Sequence, residues 1–131
     1  MNNSAPRARG LRAFALGGLA VAFVGAGVMH FMKPRPFVEI VPPGLPEPEA
    51  LVAISGVAEI LGGLGLLWRR TRAAAGWGLI ALLAAVFPAN VYMAVAAERF
   101  AALAPAWALW LRLPLQPLMM LTVWWAAIRE R

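Results

Sequence analysis

Five polar side chains lie inside otherwise apolar stretches of this 131-residue sequence: His30, Glu59, Asn90, Arg112 and Gln116. Their types set out a small chemical repertoire. His30 and Glu59 could carry a proton, Arg112 could hold an anion, and the two amides could fix the oxygens of a ligand. The stretch WLRLPLQPL, residues 110–118, concentrates the question, because it sets an arginine, a glutamine and two prolines among leucines. A charge in an apolar helix is costly and is retained where it is paired or functional.

The elements that must position these groups follow from composition. The chain is 62% hydrophobic and 14% charged, with mean hydropathy +0.72, against about half apolar and about a quarter charged in soluble domains. This is the membrane class, and the length leaves room for one membrane domain over residues 1–131. The net charge of +6 sits beside apolar stretches rather than along a solvated face, so it reads as topology and not as nucleic-acid binding. With no cysteine, thiol exchange, thiolate metal sites and iron–sulfur clusters are excluded. With one histidine, a multi-histidine metal site is excluded too, and no metal is expected.

Crossing a bilayer takes roughly 20 apolar residues in a helix. Four segments meet that length: 13–32, 51–68, 73–95 and 106–128. The expectation is an all-α integral membrane four-helix bundle, since a lone strand leaves its backbone unsatisfied in lipid. The first segment also invites a signal-peptide reading, but its apolar run exceeds the usual core and ends in VMHFMKP rather than a small-residue cleavage site. Eight arginines (Arg7, Arg9, Arg12, Arg69, Arg70, Arg72, Arg129 and Arg131) flank one side, against Lys33, Arg35 and Arg99 on the other. Both termini are therefore expected on the cytoplasmic side of the membrane. Trp68, Trp77, Trp124 and Trp125 fall near that inner surface and Trp107 and Trp110 near the outer one. The outer loop 33–50 holds six of the eleven prolines and an apolar FVEIV patch, suited to lying on the interface or folding over the helix ends. Glu47, Pro48 and Glu49 carry a helix-start signature.

Counting residues from the outer surface puts Glu59 about 12 Å deep, Arg112 about 9 Å and Asn90 about 8 Å. Gln116 lies one turn below Arg112, and His30 at the outer end of its helix. All five thus fall in the outer half. Glu59 shares a face with Ser55, Gly56, Gly62 and Gly63, small residues that let helices approach closely. Ala26 and Gly27 below His30, and Ala81, Ala85 and Ala89 leading toward Asn90, make similar stripes. A carboxylate and a guanidinium at like depth predict a Glu59–Arg112 ion pair with His30, Asn90 and Gln116 close by. Pro88, Pro114 and Pro117 free the carbonyls of Ala84, Trp110 and Leu113, so 110–118 is expected to be broken or kinked with polar groups inward. Two readings of the pair stand side by side: a device that fixes helix register, or a ligand or proton site. His30 alone is equally an interfacial hydrogen-bonder, and Met29 and Met32 beside it read as lipid-facing rather than as haem ligands.

The sequence resembles the DoxX-like family of small bacterial four-helix membrane proteins. The resemblance is carried by HF-x-KP-x-PF-x-EIVPP (30–43), SG-x-AEILGGLGLL (55–67), FPANVYMA (87–94) and RLPLQ (112–116), in family order. It implies four membrane helices and, for several members, association with respiratory or redox complexes. The cysteine-pair chemistry of related thiol-redox proteins cannot be carried by a chain without cysteine. Two functions follow as expectations. One is a redox-associated protein binding a quinone or similar amphiphile within a membrane complex, with Arg112, His30 and Asn90 donating to its oxygens and Glu59 or His30 handling protons. The other is a non-enzymatic assembly subunit, homo-oligomer or binder of a small solute or lipid. Independent catalysis is not expected, because no flavin, haem or metal signature is present. A proton-coupled exporter fits less well, since its glutamate belongs in the first helix and not the second.

Overall fold

The computed structural model describes residues 4–129, which form helices joined by short turns, with no strand among them. Helix α1 runs Ser4–Met32, α2 Pro34–Glu39, α3 Pro48–Gly65, α4 Arg72–Val95 and α5 Ala106–Val123. A 3-10 turn, Ala97–Phe100, follows α4, and a π-helical turn, Trp124–Ile128, prolongs α5. Three helices, α1, α3 and α4, are long and apolar enough to cross a membrane. Helices occupy the four expected segments with several changes: α1 begins nine residues earlier, at Ser4, and α3 runs from Pro48 to Gly65 rather than over 51–68, leaving Trp68 in the turn. The expected loop 33–50 holds α2, and the fourth segment, whose α-helix ends at Val123, is not among the three of membrane-spanning length. Arg131 lies outside the described residues.

Prolines mark the starts. Pro34 opens α2 and Pro48 opens α3, where the missing N–H has no helical partner to lose. Glu49 lies in the first turn of α3. Glu47 is its N-terminal flank in the left-handed region (φ 53°, ψ 59°) and makes no side-chain cap, so the signature marks the start without the carboxylate closing it.

The long helices pack antiparallel to their neighbours in chain order. α1 lies against α3, α3 against α4, and α4 against α5, while α3 and α5 do not touch. α1 meets the last segment mainly through the π-helical turn. The α1–α3 seam is the tightest. A Cβ added to Gly27 would stand 2.6 Å from the Gly56 carbonyl oxygen, and one added to Gly63 3.1 Å from that of Ala20. Glycine is required there because the neighbour is backbone and cannot move aside.

Two apolar clusters hold the assembly. One gathers Leu16, Leu19 and Phe23 of α1 with Leu66, Leu79, Leu83, Val123 and Ala126. The second joins Met93, Ala94, Phe100 and Leu109, with Ile40 from the proline-rich loop packed against it. That loop thus folds over the helix ends, one of its two expected positions. Apolar side chains also cover the outside, among them Phe14 (79% exposed), Val21 (76%) and Ile54 (65%).

Candidate functional site

The five polar residues divide into two groups on different helix pairs. In the first, His30 of α1 faces Glu59 of α3. The His30 Nδ1–H donates to the Ala26 carbonyl at 2.6 Å; a carbonyl only accepts, so Nδ1 carries the proton. Glu59 Oε2 stands 3.2 Å from the same nitrogen, and both side chains are largely buried. Because the proton points at Ala26, Glu59 Oε2 is within electrostatic reach but is buried without a hydrogen-bond partner. The Phe37 ring of α2 stacks on the imidazole, with centroids 4.0 Å apart and planes 20° apart. Gly27 and Gly56 make this geometry possible. The Gly56 position faces His30 Cβ and Phe31, so any side chain there would push α1 away from the carboxylate.

The second group joins α4 and α5. Asn90 Nδ2 donates to Gln116 Oε1, and Gln116 Nε2 donates to the Leu83 carbonyl. Gln116 is 6% exposed, the one strongly buried polar side chain among the described residues. It sits between the two apolar clusters, and its amide is satisfied at both ends, as a buried amide must be.

The expected Glu59–Arg112 pair does not form. α3 and α5 are not neighbours, so equal depth along the helices does not bring their side chains together. Arg112 is exposed on α5, with Nη1 at 3.9 Å from Met93 Sδ, a weak acceptor. The predicted break at 110–118 is also absent. α5 continues through Pro114 and Pro117, α4 continues through Pro88, and the departure from α-geometry comes later, at Trp124–Ile128. Gln116 serves the Leu83 carbonyl rather than that of Ala84. The alanine stripe fails in part, since Ala81 and Ala85 are exposed.

Two participants were not singled out from the sequence as site residues. Phe37 was seen as part of an apolar patch, but stacking on His30 depends on α2 folding back, which the proline pattern alone does not specify. Met93 carries no polar signal in sequence. At the same end of the molecule, Arg99 donates to the Tyr92 hydroxyl at 2.9 Å and Tyr92 meets Phe100 edge-on.

Among the described residues no group of three or more His, Cys, Asp or Glu side chains stands close enough to hold a metal ion. These features define an all-helical chain with three helices of membrane-spanning length and two polar pairs buried between helices. The chain belongs to the DUF8561 family, a domain of unknown function, whose match covers residues 19–127 and so includes all five polar residues. No curated protein and no solved structure matches it.

Proposed function

We propose that this chain is a DoxX-like integral membrane protein of the bacterial inner membrane. In this reading its four long helices span the bilayer with both termini cytoplasmic, and it binds an amphipathic molecule of quinone type beside the His30–Glu59 pair. It works as a subunit of a redox-associated membrane complex and has no independent catalysis. Support for the membrane setting comes from three helices of spanning length and from the gathering of Arg9, Arg12, Arg69 and Arg72 around one end. Fusing topology reporters to the 66–71 turn and to the C-terminus is expected to place both in the cytoplasm. An external signal from either overturns the orientation.

The observation that carries the binding reading is the Glu59 carboxylate oxygen, buried with unused acceptor capacity next to a histidine on which an aromatic ring is stacked. Native proteins rarely leave such an atom unpartnered without a ligand, water or proton to serve it. A ligand hydroxyl would satisfy it, and Phe37 would offer a ring face to a flat head group. Asn90 and Gln116 are engaged with each other and serve the fold.

The test is extraction into native nanodiscs followed by mass spectrometry of co-purifying small molecules. Wild type and Arg112→Ala are expected to retain a quinone, and Glu59→Gln and His30→Gln to lose it. Retention in Glu59→Gln overturns the assigned position, and bulk lipid alone in wild type overturns the quinone. A second reading, an assembly subunit or homo-oligomer, draws on Arg112, exposed on α5 beside exposed Trp107 and Trp110. A guanidinium at membrane depth needs an outside partner, and partner proteins that leave only in Arg112→Ala would favour this reading.

A further inference from the structure

At the opposite end from the His30–Glu59 pair, a cavity of about 840 Å³ opens between α1, the turn after α3 and the π-helical turn. Four of its lining residues are arginines, Arg9, Arg12, Arg69 and Arg72, and none of the others is charged. Its floor is apolar, with Leu16 and Ala126 buried in the core beneath it. We infer that this cavity is a binding site for an anionic phosphate group, in the form of a phospholipid headgroup with its acyl chains over the apolar floor.

Three features carry the assignment. The first is residue type: all four cations are arginine, whose planar fork binds phosphate oxygens in pairs where lysine offers a point charge. The second is that two of the forks are held in place. Arg72 Nε donates to the Leu66 carbonyl at 2.8 Å and Nη2 to that of Leu67 at 3.4 Å, anchoring it over the C-terminal end of α3. The Arg12 guanidinium lies over the Trp125 ring, 5.4 Å from its centroid, a cation–π contact that orients it. Fixed donors bind with less loss of side-chain freedom. The third is shape. Like charges around one cavity repel, and an anion within the ring offsets that repulsion, while the uncharged floor suits hydrocarbon. Basic pockets between helices on the cytoplasmic side of membrane proteins take anionic headgroups for these reasons. The phosphate chemistry stands independently of the quinone reading, and only the lipid form of the ligand depends on the membrane setting.

Gly17 provides a probe of the floor, because it lines the cavity and a Cβ added there meets nothing within 4 Å. Gly17→Leu therefore has room for its Cβ and adds bulk to the cavity lining. The experiment is native mass spectrometry of the full chain titrated with phosphatidylglycerol, phosphatidylcholine or inorganic phosphate. Phosphatidylglycerol is expected to bind at least tenfold tighter than phosphatidylcholine. Arg9→Gln with Arg69→Gln, both exposed positions, should weaken it at least tenfold while leaving the melting temperature near wild type. Gly17→Leu should lose the lipid and keep any binding of inorganic phosphate. Inorganic phosphate that binds as tightly as phosphatidylglycerol, indifferent to Gly17→Leu, would identify a free phosphate as the ligand and overturn the lipid form. Equal binding of the two lipids, or no change in the arginine double variant, overturns the site.

Discussion

Gly27→Val is expected to melt far below the wild-type chain, with a loss of about 3 kcal/mol in detergent, at the upper end for overpacking a tight interface. The added Cβ would stand 2.6 Å from the Gly56 carbonyl oxygen, 2.7 Å from Ile60 Cγ1 and 3.1 Å from the Ile60 nitrogen. A side chain such as Ile60 can rotate, but two of these three obstacles are backbone, so α1 and α3 must separate along their whole seam. Separation also widens the 3.2 Å approach of His30 to Glu59, so the same variant is expected to lose whatever ligand the proposed site holds. Gly25→Val is the control. It lies two residues away on α1, where an added Cβ meets nothing within 4 Å, and its stability should stay within about 0.5 kcal/mol of wild type. Equal melting of the two variants would mean that the helices do not approach through Gly27.

Gln116→Leu is expected to cost about 2 kcal/mol, although leucine matches glutamine closely in size and suits the apolar surroundings. The loss comes from what the amide leaves behind. The Leu83 carbonyl forfeits its second, side-chain donor and Asn90 its acceptor, and a buried polar group left without its partner costs roughly 1–3 kcal/mol. Interhelical hydrogen bonds in membranes average only about 0.6 kcal/mol, which makes the size of the effect informative. Gln116, unlike most such residues, is satisfied at both ends and is 6% exposed. Asn90→Ala introduced after Gln116→Leu should then add little, with a coupling of at least about 0.5 kcal/mol in the double-mutant cycle. Fully additive losses would show that Asn90 and Gln116 do not act as one unit.

Much of the fold was legible because membrane-length helices announce themselves by run length and because prolines and arginines punctuate their ends. The start at Pro48 emerged as read, and a helix occupies 106–123 of the segment 106–128, although only α1, α3 and α4 are long and apolar enough to cross a membrane. The short helix opened by Pro34 was not foreseen. The five polar residues were also legible as a set, since each interrupts an apolar run. Their partners were not. Depth along a helix follows from counting residues, but the azimuth around the bundle depends on which helices are neighbours, and α3 and α5 turn out to lie apart. Arg112 and Gln116 illustrate the same point within one element. Four residues apart on α5, they both reach toward α4, yet one is exposed and the other buried. The prolines do not break α4 or α5, because neighbouring helices and side chains can re-satisfy the backbone at a missing hydrogen bond.

The π-helical turn at Trp124–Ile128 has a consequence for how the molecule is made. It packs Ala127 and Ile128 against Gly76 and supplies most of the contact between α1 and the last segment. During synthesis α1 can seat on α3 as soon as that hairpin has emerged, and α4 can follow. The far side of α1 receives that partner only once residues 124–128 have been made. A nascent chain stalled before Trp124 would therefore leave Leu16 and Leu19 without their partners Ala126 and Ala127. Closure of the core around α1 should then be timed by residues 124–128 rather than by formation of the α1–α3 hairpin.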